Sequence, residues 1–338
     1  MPGASEHDAP VAAVPSSGMI EIRATPVWSQ EIHGVGGHNP LFDPDGTALY
    51  VSDGWGNRPV PALRFRRLDV QTGAETARWP CGSAVRCLVT LDGGEILVAT
   101  DQRLAQLDPL TLVERARWNR SVRHATTMAV HRGVAVAGNP AMPTITLVDL
   151  RTGDVRRKRH GPVISILGRR DDAPVLVGGA RGGLAAVDVA SGTIRSMRSS
   201  PSAMAAVLAP DEQAVWLIAG IRVHATEHAS GVSLRPGDAV TAVEWHPLRD
   251  GEPRVVEVPL PVRTVDAGPG ALWLTPAPYP GTEQYLVTGS PSGDDWRVWR
   301  APKGAFIEAV DPRLGLCLTT THRPRSETTL LSCYRVDG

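Results

Sequence analysis

The sequence predicts an all-β protein, a seven-bladed β-propeller of four-stranded antiparallel blades whose ring is closed by an N-terminal strand. Three observations predict it. A phrase recurs as Leu68-Asp69-Val70-Gln71-Thr72-Gly73, Leu107-Asp108-Pro109-Leu110-Thr111, Val148-Asp149-Leu150-Arg151-Thr152-Gly153 and Val187-Asp188-Val189-Ala190-Ser191-Gly192. Its period of about 40 residues is that of a propeller blade. The 34 Gly and 29 Pro, with nine Trp among few aromatics, suit many short strands joined by tight turns, not long helices.

Residues 1–18 are rich in Ala, Pro and Ser, carry Glu6 and Asp8, and lack an apolar signal-like core; they read as a disordered leader. A strand from about Ile20 to Ile32 precedes the first repeat. Seven strongly β-prone runs then mark the second strand of each blade: Ala48–Asp53, Ile96–Asp101, Val134–Asn139, Val175–Gly179, Val215–Gly220, Ala271–Thr275 and Leu316–Thr320. Turns such as Asp43-Pro44-Asp45-Gly46 and Leu91-Asp92-Gly93-Gly94 introduce them. The third strand of a unit carries the repeated Asp, expected to cap a turn on the lower face. The fourth ends near a Trp (Trp79, Trp118, Trp299), expected to pack between blades. The last unit runs out after its third strand, Thr328 to Val336, so the strand at about 20–32, with Trp28, supplies the missing fourth and removes an open sheet edge. Residues 19–338 are thus expected to form a single domain. One unit is longer: an insertion at about 221–239 contains His224, Glu227, His228 and Arg235 and reads either as a loop on the binding face or as a hairpin extension.

Charge and composition exclude several classes. With 35 basic and 35 acidic residues the formal charge is zero, which argues against nucleic-acid and membrane partners. No stretch approaches eighteen apolar residues, and the expectation is a cytoplasmic monomer. Cys81, Cys87, Cys317 and Cys333 form no CxxC pair and are expected as buried free thiols in a reducing compartment. There is no GxSxG elbow, HExxH helix, Walker loop or GxGxxG after a strand. The basic run Arg156 to His160 falls on an outer strand, where charge blunts an edge.

With its VDxxTG turns, the chain resembles the bacterial seven-bladed propellers of the YVTN and quinoprotein-like type, a repeat style that also occurs in virginiamycin B lyase. The resemblance covers Ile20 to Val336 at the level of repeat architecture and implies the fold; the WD dipeptide of typical WD40 repeats is missing from the expected places. The repeated residues are turn formers, so activity has to be argued from positions that do not repeat.

In such a ring the starts of the first strands and the ends of the second converge on the upper mouth of the channel. They bring there His38, Asn39, Arg86, His124, Ser165, Met204, Arg263, Phe306 and Glu308, and Asp53, Trp55, Asn57, Arg58, Asp101, Arg103, Asn139, Arg181, Tyr279, His322 and Arg323. Three readings of this cluster stand side by side. In an enzyme (lyase, lactonase-like hydrolase or cyclase), His38, His124, Glu308 and His322 supply acid–base chemistry, while Arg58, Arg86, Arg181, Arg263, Tyr279 and Phe306 hold a small polar or anionic metabolite. In a metal site, Asp53, Asp101 and Asn139, with Glu308, offer oxygen ligands to calcium or magnesium. In the third, these residues cap turns or pair with one another, and the ring is a non-catalytic scaffold that recruits a protein partner through the same face or the insertion.

Overall fold

The repeat period builds a closed ring. The computed structural model describes residues 19–33, 36–53, 63–119, 122, 125–178, 182–219, 240–276, 283–323 and 328–337. Blade 1 consists of β3 (Gly36–Phe42), β4 (Ala48–Asp53), β5 (Arg64–Asp69) and β6 (Glu75–Pro80), and blade 2 of β7 (Val85–Thr90), β8 (Ile96–Thr100), β9 (Arg103–Leu107) and β10 (Glu114–Asn119). Blade 3 has β11 (Thr127–His131), β12 (Val134–Gly138), β13 (Thr144–Asp149) and β14 (Val155–Arg159); blade 4 has β15 (Val163–Leu167), β16 (Val175–Gly178), β17 (Leu184–Asp188) and β18 (Thr193–Arg198). Blade 5 has β19 (Ala203–Leu208), β20 (Ala214–Ala219), β21 (Val240–Pro247) and β22 (Arg254–Val262); blade 6 has β23 (Thr264–Gly268), β24 (Ala271–Thr275), β25 (Tyr285–Gly289) and β26 (Arg297–Arg300). In blade 7, β27 (Phe306–Asp311), β28 (Leu316–Arg323) and β29 (Thr328–Val336) are completed by β2 (Ala24–His33), antiparallel to β29 from Ala24↔Val336 to His33↔Thr328. The expected closure is therefore present. The segment read as one strand from Ile20 divides in two: β1 (Ile20–Glu21) instead joins blade 6 as a fifth strand, parallel to β26. None of the described residues is helical.

The core lies between blades. Among the described residues seven buried clusters occur, one at each interface, because alternate residues of a strand face opposite neighbours. In β4, Leu49 and Val51 pack toward blade 7 while Ala48 and Tyr50 pack toward blade 2. A second strand is thus covered on both faces, which is why these runs are continuously apolar.

The repeated phrase serves this packing. Asp69, Asp108, Asp149 and Asp188 each accept backbone N–H bonds from the second and third residues following, and their C=O accepts the N–H four residues on. Hydrogen bonds hold these carboxyls below the usual carboxylate range, led by the Thr72 hydroxyl for Asp69, Arg115 for Asp108, and the backbone N–H of Thr152 and Ser191 for Asp149 and Asp188. They are turn caps, as the sequence suggested.

The glycine ending the phrase leaves room for the preceding blade. A Cβ on Gly73 would stand 2.6 Å from the Trp28 ring, one on Gly153 3.3 Å from Trp118, and one on Gly192 2.7 Å from the Lys158 side chain. Blade 2 has Leu112 at this position, at φ 55° and 1 % exposed. Left-handed backbone costs a non-glycine residue about 1–2 kcal/mol, which burial of a leucine, about 1.5–3 kcal/mol, offsets.

Blade 3 reaches its neighbour with Arg156, which donates to the Val189 and Ala190 carbonyls 2.5 and 2.6 Å away. All four cysteines are buried free thiols, and burial pushes Cys87 and Cys333 up to about 12.

At the closing seam Trp28, 8 % exposed, donates its indole N–H to the Val70 carbonyl at 2.7 Å. Trp28→Ala should cost about 3–5 kcal/mol in urea unfolding; a loss under about 1 kcal/mol would mean that the seam does not depend on this side chain.

Candidate functional site

At the upper face, where the inner strands begin, the carboxylates are held by arginines. Asp53, 6 % exposed, accepts from Arg66 Nε at 3.1 Å and Nη2 at 3.3 Å and from the Arg64 backbone N–H at 3.1 Å. Arg66 also bridges Glu75. Asp101 takes a two-pronged contact from Arg86, Nε at 2.6 Å and Nη2 at 2.9 Å, a geometry that only guanidinium supplies. Asn139 Oδ1 accepts from the Ala141 N–H at 2.6 Å, as a turn cap does. Among the described residues no three His, Cys, Asp or Glu side chains cluster as a metal site would require.

The remaining upper-face residues are dispersed. His322 is exposed on the β28–β29 hairpin, two residues beyond Thr320, which pairs with the first residue of β27. Arg263 is buried between β22 and β23, its backbone N–H on the Thr275 carbonyl. Phe306 opens β27 and is half-buried. The backbone of His38 lies opposite Ser52, but its side chain is outside the description. Arg58, His124, Arg181, Tyr279 and the 221–239 insertion also lie outside the described residues.

Glu308 leads to a different place. The inner strands of blades 2, 4, 5 and 7 carry bulges at Arg86, Ile164, Met204 and Glu308, a device that re-aims one side chain. Glu308 accepts a 2.7 Å bond from the Thr320 hydroxyl and lines a cavity of about 360 Å³ in the central channel. Pro40, Leu41, Phe42, Asp266, Asp311 and Arg313 line it too. Phe42 and Asp311 end their strands, so the cavity extends from the middle of the channel toward the lower face, away from the mouth where the sequence had placed Glu308. Asp311 is paired with Arg313, whose Nε lies 3.1 Å away and whose guanidinium is held more basic by that carboxylate. Among the described residues Asp266 is paired with no such cation. Burial, with a smaller contribution from the Asp311 charge, pushes its carboxyl up to about 7.

Sequence reasoning missed Asp266, although a signal exists. It pairs with Trp273, the third residue of its second strand; at the matching register the other blades have Leu41, Leu88, Ala129, Ser165, Val207 and Ala309. A carboxylate in this inner-strand position breaks the pattern only once the register is known.

No family model matches the chain, and no curated protein matches it in sequence. Among solved structures it is similar to the Pan2 WD40 domain of Neurospora crassa, at 9 % identity and TM-score 0.65, covering 94 % of this chain and 97 % of that one. It is similar to virginiamycin B lyase from Staphylococcus aureus at 13 % identity and TM-score 0.59 (90 % and 98 % covered), and to the RRP9 WD40 repeats at 11 % and 0.62 (93 % and 100 %). At these identities the likeness establishes the seven-bladed propeller and nothing about activity. Among the described residues no helix is long and apolar enough to cross a membrane.

The raised carboxyl has a thermodynamic consequence. A folded-state value near 7, against about 3.9 in the unfolded chain, means that the native state binds the extra proton, so stability from this group is full below pH 4 and is lost as pH rises to 7. Asp266→Asn should remove that slope and leave the variant more stable than wild type at pH 8, by about 1–3 kcal/mol. Parallel stability–pH curves for the two proteins in denaturant titrations would contradict it.

Proposed function

We propose that the protein is a small-molecule-binding propeller whose ligand enters the central channel, and that Asp266 and Glu308 form the acid–base pair of an enzyme of the lyase, hydrolase or cyclase class. The observation that carries this reading is the half-open polar cavity of about 360 Å³ lined by a carboxyl raised to about 7 and a second carboxyl fixed by Thr320. A group titrating near neutrality both gives and takes a proton at working pH, and small ligands bind in concave sites with a few convergent polar groups.

The lining also supports a choice of ligand charge. Arg86, expected as an anion anchor, is committed to Asp101, and among the described residues the cavity presents Asp266, Glu308 and Asp311 with Arg313 paired to Asp311. The ligand class is therefore a small neutral or cationic polar molecule that donates hydrogen bonds. An exposed His322 above the mouth is the remaining acid–base group of the described upper face.

A second reading, a non-catalytic interaction propeller, is favoured by one specific observation: the groove between blades 5 and 6 on the lower face combines Trp245, Arg254 and three prolines. Such aromatic and arginine surfaces are common at protein contacts.

Screening small amines and other polar metabolites by thermal shift should yield a ligand that stabilises wild type and binds Asp266→Asn or Glu308→Gln at least about tenfold more weakly, the worth of one lost charge-assisted bond. Undiminished affinity in both variants would remove the channel as the site.

A further inference from the structure

The lower face carries a second concavity, which shares Ala267 with the wall of the channel cavity but has its own polar and aromatic lining. It lies between blades 5 and 6, measures about 250 Å³, and is lined by Pro210, Asp211, Trp216, Trp245, Arg254, Pro269 and Pro291 with small residues between them. Arg254 stands over both indoles, its guanidinium carbon 4.7 Å from the Trp245 ring and 5.5 Å from that of Trp216. Stacking uses the flat faces of a guanidinium and leaves its N–H edges directed outward. Arg254 is exposed and has no carboxylate partner among the described residues. Of the arginines stacked on tryptophan, Arg103 by contrast pairs with Glu114. The groove is thus chemically specified: a proline-compatible aromatic floor beside a cation able to take a carboxylate in two-pronged fashion.

The path of the chain points to the occupant. Ile20 pairs in parallel with Arg297, the first residue of β26, so the chain reaches β1 from the lower face. Met19 packs against the same cluster that contains Trp216, Trp245 and Trp296, and the Ile20 N–H bonds the Trp296 carbonyl. Met19, the first described residue, therefore stands at the cluster that floors the groove. The sequence preceding it includes Glu6-His7-Asp8-Ala9-Pro10-Val11, with further prolines at Pro2 and Pro15. From Met19 back to Asp8 the chain spans roughly 36 Å if extended, ample to return across one blade interface. Tethering raises the local concentration of such a segment to the millimolar range.

We propose that this groove is a docking site for the chain's own N-terminal segment, which it takes by a carboxylate, Glu6 or Asp8, on Arg254 and by proline on Trp245. The site is independent of the channel, so the two can fail separately.

The test is binding of a dye-labelled synthetic peptide of residues 2–17, followed by fluorescence anisotropy. Full-length protein carrying E6Q and D8N cannot fill its groove in cis and should bind the added peptide at least about fivefold more tightly than full-length wild type does. Adding Arg254→Ala to that protein should weaken binding by more than about tenfold, and so should the E6Q/D8N form of the peptide offered to the groove with Arg254 intact, a comparison that needs no change to the fold. Equal peptide affinity in wild type and the E6Q/D8N chain would overturn the proposal, as would binding indifferent to the peptide's carboxylates.

Discussion

The contact between the outer strand of one blade and the turn glycine of the next is what the ring depends on. At the seam it is Trp28 on Gly73 with an indole bond to Val70, and elsewhere Trp118 on Gly153 and Lys158 on Gly192. The aspartate four residues before each glycine holds the turn in shape, so cap and contact are one unit. A propeller has its hydrophobic core between blades, and no blade buries its faces alone. Closure by β2 therefore does more than hide an edge: it completes the cluster shared by blades 7 and 1, in which Trp28 and Ile32 meet Leu68 and Val70.

Placing the core between blades leaves the inner strands facing a channel with few packing obligations. That freedom is where polar residues accumulate. Bulges at Arg86 and Glu308 turn side chains toward the axis, and in blade 6 an unbulged strand places Asp266 there. Arg86 and Asp101 neutralise each other, as do Asp311 and Arg313, which leaves Asp266 as the channel carboxyl whose charge burial opposes. Asp266 thus lies in the channel wall, while the described rim carboxylates Asp53 and Asp101 are held in ion pairs.

Much of the fold was legible in the sequence for a definite reason. Second strands are covered on both sides and so appear as unbroken apolar runs, while the capped turns need Asp and Gly at fixed offsets. Trp28 was legible as a fourth-strand residue because it repeats the role of Trp79 and Trp118. What escaped depends on register or on distant partners. Two residues are too short to show that β1 joins blade 6, and nothing local marks Leu112 as standing in for a glycine, since burial compensates its backbone. Asp53 and Asp101 have the composition of cation ligands, yet each meets an arginine on a neighbouring strand, a pairing that alternation along one strand does not reveal. Asp266 looks like any strand residue until its register with Trp273 aligns it with Ala129 and Ala309.

Burial, with the neighbouring Asp311 charge, raises the Asp266 carboxyl in the channel from the ordinary aspartate range to about 7. Carbon-13 NMR titration of the Asp266 carboxyl measures this directly, assigned by its loss in Asp266→Asn. A midpoint near 7 is expected in the free protein. A midpoint near 4, the ordinary aspartate range, would contradict it.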